Sequence, residues 1–191
     1  MQQKLVPEIR KICPKVNKVI YVSDGAKQHF KNRYQMCNLM YHRTDFNIDA
    51  EWYFFGTAHG KGACDGVGAI VKREATRASL QASPNEAILD SKALFSWAKK
   101  RSFGMIFFFY SKEDHEHTRQ FLAKRFCNAP PVTRIQIGHA FIPQSNDTLQ
   151  VMRYSGAPKP KATVAYEIGE ISQSPKAERR LRSRKCKSSR N

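Results

Sequence analysis

The chain has 191 residues, 41% of them hydrophobic and 11% aromatic. That is material for one packed domain with an appendage, and it excludes a wholly disordered protein. Lys and Arg number 33 against 16 Asp and Glu, a formal charge of +17, and an excess of that size points to a polyanionic partner, nucleic acid before an anionic membrane surface. The longest apolar run, Phe103–Tyr110, falls far short of the roughly 20 residues that span a bilayer. No apolar leader-type segment opens the chain, and five scattered cysteines without a CxxC spacing suit a reducing compartment.

Taken in order, Val6 to Cys13 forms a short amphipathic stretch stopped at Pro14. The β-branched and aromatic run Val16–Val22 predicts a strand, with Asp24 at its carboxyl end and Gly25 permitting a sharp exit. Ala26, Phe30, Tyr34, Cys37 and Tyr41 recur at helical spacing, leaving Lys27, Lys31 and Asn38 on other faces. Ile48–Phe55 predicts a second strand, covered on both sides. After a glycine-rich loop, a helix opening near Asp65 would turn Val67, Ile70, Val71 and Ala78 inward and Lys72, Arg73 and Arg77 outward. Strand, helix, strand, helix predicts a mainly parallel α/β sheet.

A capping box at Ser83-Pro84-Asn85-Glu86 predicts the next helix, with Leu89, Ala93 and Trp97 stacked on one face. A strand over Phe103–Tyr110 follows, then a helix capped by Ser111-Lys112-Glu113-Asp114 and running to about Phe126. Val132–Ile142 and Thr148–Arg153 flank a turn and read as a hairpin. From Gly156 large apolar residues become scarce and basic residues gather, so the expected layout is a core over 1–82, an extension over 83–155 and a disordered basic tail over 156–191. The tail's Arg179, Arg180, Arg182, Arg184 and Lys185 have the composition of a nuclear-import or phosphate-contacting cluster.

Two acids stand out by position. Asp24 ends the first strand and Asp65 opens the helix after the second, and ligands of open α/β sheets gather just beyond the strand carboxyl ends. Two carboxylates meeting there repel unless a cation lies between them, and a pair of Mg²⁺ ions is the natural guest. The plainer reading makes Asp24 a helix cap and Asp65 a first-turn acid favoured by the helix dipole. Cys37 with His42 and His59 with Cys64 offer a zinc donor set of unusual spacing, and Asp114-His115-Glu116-His117 lacks the spacing that puts two imidazoles on one helical face. Neither is preferred. Phe107, Phe108, Phe109, Trp52, Phe54 and Phe55 read as core rather than as a base-stacking platform.

Ser23-Asp24-Gly25-Ala26, Phe30-Lys31-Asn32, Asp45-Phe46-Asn47-Ile48-Asp49-Ala50-Glu51-Trp52, His59-Gly60-Lys61-Gly62-Ala63-Cys64-Asp65-Gly66-Val67-Gly68 and Val71-Lys72-Arg73 together carry a resemblance. Over about residues 15–80, and more loosely to 154, the chain resembles transposon-derived animal proteins, common in arthropods and with a bracovirus-encoded relative, that are similar to DDE transposases of ribonuclease H-like fold. The resemblance implies that Asp24 and Asp65 match the second and third acids of the DDE set, and that His59 and Lys61 line the site. The first acid belongs to strands that would precede Asp24, and the 23 residues before it are too few for them. The expectation is therefore an N-terminally truncated member, catalytically incomplete on its own. It would be a nuclear DNA-binding remnant, with Lys72, Arg73, Arg77 and the tail cluster on phosphates. A restored upstream segment would make it a Mg²⁺-dependent strand transferase or nuclease. The alternative is a non-enzymatic nuclear DNA- or RNA-binding protein with no metal site; no membrane partner is expected, and self-association is left open.

Overall fold

The β-branched run after Pro14 becomes strand β1 (Lys18–Ser23) and Asp49–Phe54 becomes β2, in a computed structural model that describes residues 2–26, 28–56, 62–83, 86–101, 104–145 and 147–166. The chain divides into two units, Met1–Pro14 with Ala58–Thr118, and Lys15–Thr57 with Arg119–Asn191. The second contains a five-stranded sheet in the order β1-β2-β3-β4-β5, where β3 is Ala140–Pro143, β4 Thr148–Met152 and β5 Ala162–Ala165. Only β1 and β2 are parallel; every later neighbour is antiparallel. The fold is mixed α/β, and the expectation of a mainly parallel sheet is corrected: the chain returns through a hairpin rather than through further helical crossovers.

One face of the sheet carries the main core. Trp52 is paired with Tyr21 across β1 and with Phe141 across β3. Its ring stacks on Tyr21 at 4.9 Å and its indole N–H donates to Ser23 Oγ at 2.8 Å. Phe54 meets Phe141 edge-on at 5.4 Å, and Leu149 and Val151 extend the layer along β4. Helix α2 (Arg33–Met40) lays Met36, Cys37, Leu39 and Met40 on this face. A smaller cluster of Ala140, Met152 and Ala157, with Tyr53 and Ile142 against it, occupies the other face.

The helix expected from Ala26 to Tyr41 is shorter, α2 taking up only Arg33–Met40. Asn32 caps α2, its side-chain oxygen accepting from the N–H groups of Tyr34 and Gln35 at 3.1 and 3.0 Å, so the residues before it turn instead of coiling. Helix α3 (His42–Phe46) then ends on Asn47, whose φ of 50° places it in the left-handed region that asparagine tolerates.

The other unit holds α1 (Gln2–Ile12), α4 (Ala63–Gln81), α5 (Ser91–Arg101) and the start of α6 (Lys112–Phe126). Three expectations fail here. Helix α5 starts at Ser91, with Asp90 accepting from Ala93 N–H at 2.7 Å; Ser83 and Glu86 do bond at 3.0 Å, but before the helix, and Leu89 is exposed. Val67 and Ile70 on α4 are exposed, not inward. Residues 104–110 form no strand: no ladder partner reaches them among the described residues, and the Phe109 carbonyl accepts from Lys4 Nζ at 2.8 Å. The continuous apolar run gave strand propensity without supplying a neighbour. In the sheet unit, most of Val132–Ile142 is a chain of turns, with β3 confined to its end, and β5 lies inside the stretch read as tail. Residues 167–191, and with them the import-type cluster, lie outside the described residues. No helix among the described residues is long and apolar enough to cross a membrane.

Candidate functional site

Because β1 and β2 run parallel and β3 runs against them, the carboxyl ends of β1 and β2 lie at the same sheet edge as the start of β3. Asp24 is on that edge, exposed, one residue past β1. Its carboxylate has a long contact of 3.4 Å with Ala26 N–H and is otherwise open to solvent. The edge has the polarity expected of an α/β ligand crevice.

Asp65 belongs to the other unit, in the first turn of α4. Its carboxylate accepts from Gly62 N–H at 3.1 Å while its own N–H donates to the Gly62 carbonyl at 3.0 Å. This is the reciprocal arrangement of a capped helix start, which the plainer reading anticipated. His59 and Lys61 lie outside the described residues. Lys72, Arg73 and Arg77 are exposed on α4, and Arg73 lies 3.5 Å from its neighbour Glu74.

The donor sets for metals can be judged by their chemistry. Among the described residues no group of three His, Cys, Asp or Glu side chains could hold a metal ion, so no zinc site is shown there. Within the candidate zinc set, burial pushes the Cys37 thiol up to about 11. His42 has both ring nitrogens occupied, Nδ1 2.8 Å from the Ile48 carbonyl and Nε2 2.9 Å from the Tyr21 hydroxyl. A carbonyl only accepts, so Nδ1 carries the proton and Nε2 accepts from Tyr21.

His42 therefore acts as a core linker, fixing α3 to β1 and to the entry of β2. Burial holds its pKa below the usual 6.5. The unfolded chain takes up a proton near that value and the folded one does not, so stability falls as pH drops below about 6.5 and stops falling at the folded pKa. Urea midpoints at pH 8 and pH 5.5 should separate more in the native chain than in His42→Gln; equal separations would refute this role.

Lys31, placed by helical spacing on a solvent-facing side, is buried. Its amine donates to the Gln136 carbonyl at 3.0 Å and lies 5.3 Å above the Phe54 ring, and burial lowers its pKa. It ties the loop before β3 to the carboxyl edge, passing 3.7 Å from where a Cβ on Gly25 would stand. No sequence signal distinguishes such a lysine from a solvated one.

No curated protein and no solved structure matches the chain. A family profile described as a domain of unknown function, DUF8701, matches residues 1–155, and the chain belongs to that family.

Proposed function

We propose that this DUF8701 member binds nucleic acid, duplex DNA first and RNA as the alternative, as the non-catalytic remnant of a DDE-type transposase of ribonuclease H-like fold. The observation that carries the reading is charge: +17 on 191 residues, with Lys72, Arg73 and Arg77 held exposed on α4. With such an excess, phosphate neutralisation and counterion release supply most of the drive for binding. The transposase ancestry is supported by the order of the elements. β1 and β2 pair in parallel across a helical connection, α4 follows β2, and Asp24 stands at the carboxyl end of β1. The nuclear setting rests on the Arg179–Lys185 cluster of the sequence.

A non-enzymatic binding module without a metal site is favoured over a strand transferase by one observation. Asp65 already uses its carboxylate to cap α4. Mg²⁺ chemistry would need further carboxylates beside Asp24, and the chain's described residues assemble no such set.

The test is fluorescence anisotropy of a labelled duplex with the full chain, between 50 and 200 mM salt, in EDTA and in Mg²⁺, with native protein and Asp24→Ala. Six or more phosphate contacts would lower the affinity by about 10³-fold across that range. Binding is expected to be equal for the two proteins in EDTA. A gain in Mg²⁺ that Asp24→Ala abolishes supports the remnant acid; no such gain supports the binding module. Absent or salt-insensitive binding would overturn the nucleic-acid reading.

A further inference from the structure

We infer that the sheet unit carries a phosphate-binding site, separate from α4 and the tail, where Arg134, Arg153 and Lys161 converge on one hollow and grip the phosphodiester backbone of a nucleic acid. The three residues come from distant points of the sequence, and strand order gathers them. β4 lies between β3 and β5 and runs against both, so its carboxyl end is flanked by the residues that precede each neighbour. Met152 O accepts from His139 N–H at 2.9 Å on one side, and Val151 O accepts from Lys161 N–H at 2.8 Å on the other. Arg153, the next residue of the chain, is thereby set between the loop bearing Arg134 and the start of β5.

Those loops are held in place. Arg134 has a φ of 63°, and its carbonyl accepts from the N–H groups of Ile137 and Gly138 at 3.1 and 3.2 Å, which folds the loop back on itself. Asn47 and Asp147 also have positive φ, but their side chains tolerate it; an arginine there is uncommon. Lys31 anchors the same loop through Gln136. On the far side, Pro158 and Pro160 stiffen the approach to Lys161.

The hollow has a volume of about 410 Å³ and is lined by Arg134, Ile137, Arg153 and Lys161. None of its three cations is ion-paired among the described residues. Like charges brought together this way repel, and an anion between them relieves the repulsion. Guanidinium forks suit phosphate oxygens in bidentate contacts, with lysine adding a point charge. The hollow shares the carboxyl edge with Asp24, three strands away along the sheet, or about 15 Å.

The choice of nucleic acid as occupant rests on the function proposed above, whereas the anion site itself does not, and the experiment separates the two. The triple variant R134Q/R153Q/K161Q is compared with K92Q/K99Q/K100Q, a control of equal net charge on α5, and with native protein. Labelled DNA and RNA duplexes are titrated across salt, and inorganic pyrophosphate is titrated at constant ionic strength with the melting midpoint as readout. The expected result is a salt slope lower by about 2–3 for the site variant, an affinity loss of roughly tenfold or more at 0.15 M salt, and little change in the control. Pyrophosphate should raise the melting midpoint of the native and control proteins but not of the site variant. Equal losses in both variants, or a site variant that binds as native protein does, would overturn the site. If native protein binds no nucleic acid yet pyrophosphate stabilises it through these three residues, the anion site stands and the nucleic-acid occupant falls. If neither ligand acts, both fall.

Discussion

Asp45→Ala is expected to destabilise the chain by about 3 kcal/mol, more than Arg125→Met, and the double variant by less than the first alone. Arg125 is the reason. It comes from α6 with its side chain only 7% exposed, whereas Asp45 on α3 is 25% exposed. Its two terminal nitrogens reach the two carboxylate oxygens of Asp45 at 2.7 and 2.8 Å, and one of them also donates to Asn38 on α2 at 2.6 Å. The guanidinium sits 4.2 Å from the Tyr41 ring centre and 5.0 Å from that of Phe121. Removing Asp45 strands a buried cation, the costly half of breaking an ion pair. Removing the cation instead leaves a carboxylate that water can reach, and methionine keeps an apolar body between the two rings. Urea unfolding of the three variants measures the cycle. A cost below about 1 kcal/mol for Asp45→Ala would mean that the pair behaves like a solvent-screened surface contact.

Arg125 also marks the limit of what patterns along the chain reveal. β1, β2 and the β3–β4 hairpin were legible because Val19-Ile20-Tyr21-Val22 and Trp52-Tyr53-Phe54 carry their own strand preference, and Leu149 and Val151 alternate. β5 was not, since Ala162-Thr163-Val164-Ala165 sits among lysines and prolines and gains its stability from the ladder that β4 offers. Residues 104–110 show the converse, strong local preference with no partner. Apolar spacing continues on both sides of Asn32 and hides its role as a cap.

The candidate site divides along the same line. Asp24 could be placed at a strand end from local pattern alone, and it stands there. Lys161 could not be grouped with Arg134 and Arg153, because its place beside them follows from the pairing of β5 with β4, in a stretch read as tail. A mainly parallel sheet, as expected, would have sent the start of β5 and the end of β4 to opposite edges.

Gly138→Ala is expected to cost about 1–3 kcal/mol and to weaken nucleic-acid binding together with stability. A Cβ there would collide with Val151 Cγ1 and lie 2.9 Å from Phe141 Cζ, both in the fully buried layer of the core. Neither neighbour can yield cheaply. Val151 is β-branched with few rotamers, and Phe141 is held edge-on by Phe54 and paired across the ladder with Trp52. The backbone of the loop must therefore move, and that loop carries Arg134 to the hollow. Val151→Ala should cost roughly 2–3 kcal/mol on its own through lost methyl groups and the cavity they leave. It also removes the nearer of the two atoms in the way, leaving Phe141, so the double variant should cost at least about 1 kcal/mol less than the sum and should recover part of the affinity that Gly138→Ala loses. Strict additivity in urea unfolding would show that the loop bends without touching β4. A normal salt slope in Gly138→Ala would show that the position of Arg134 does not depend on the glycine.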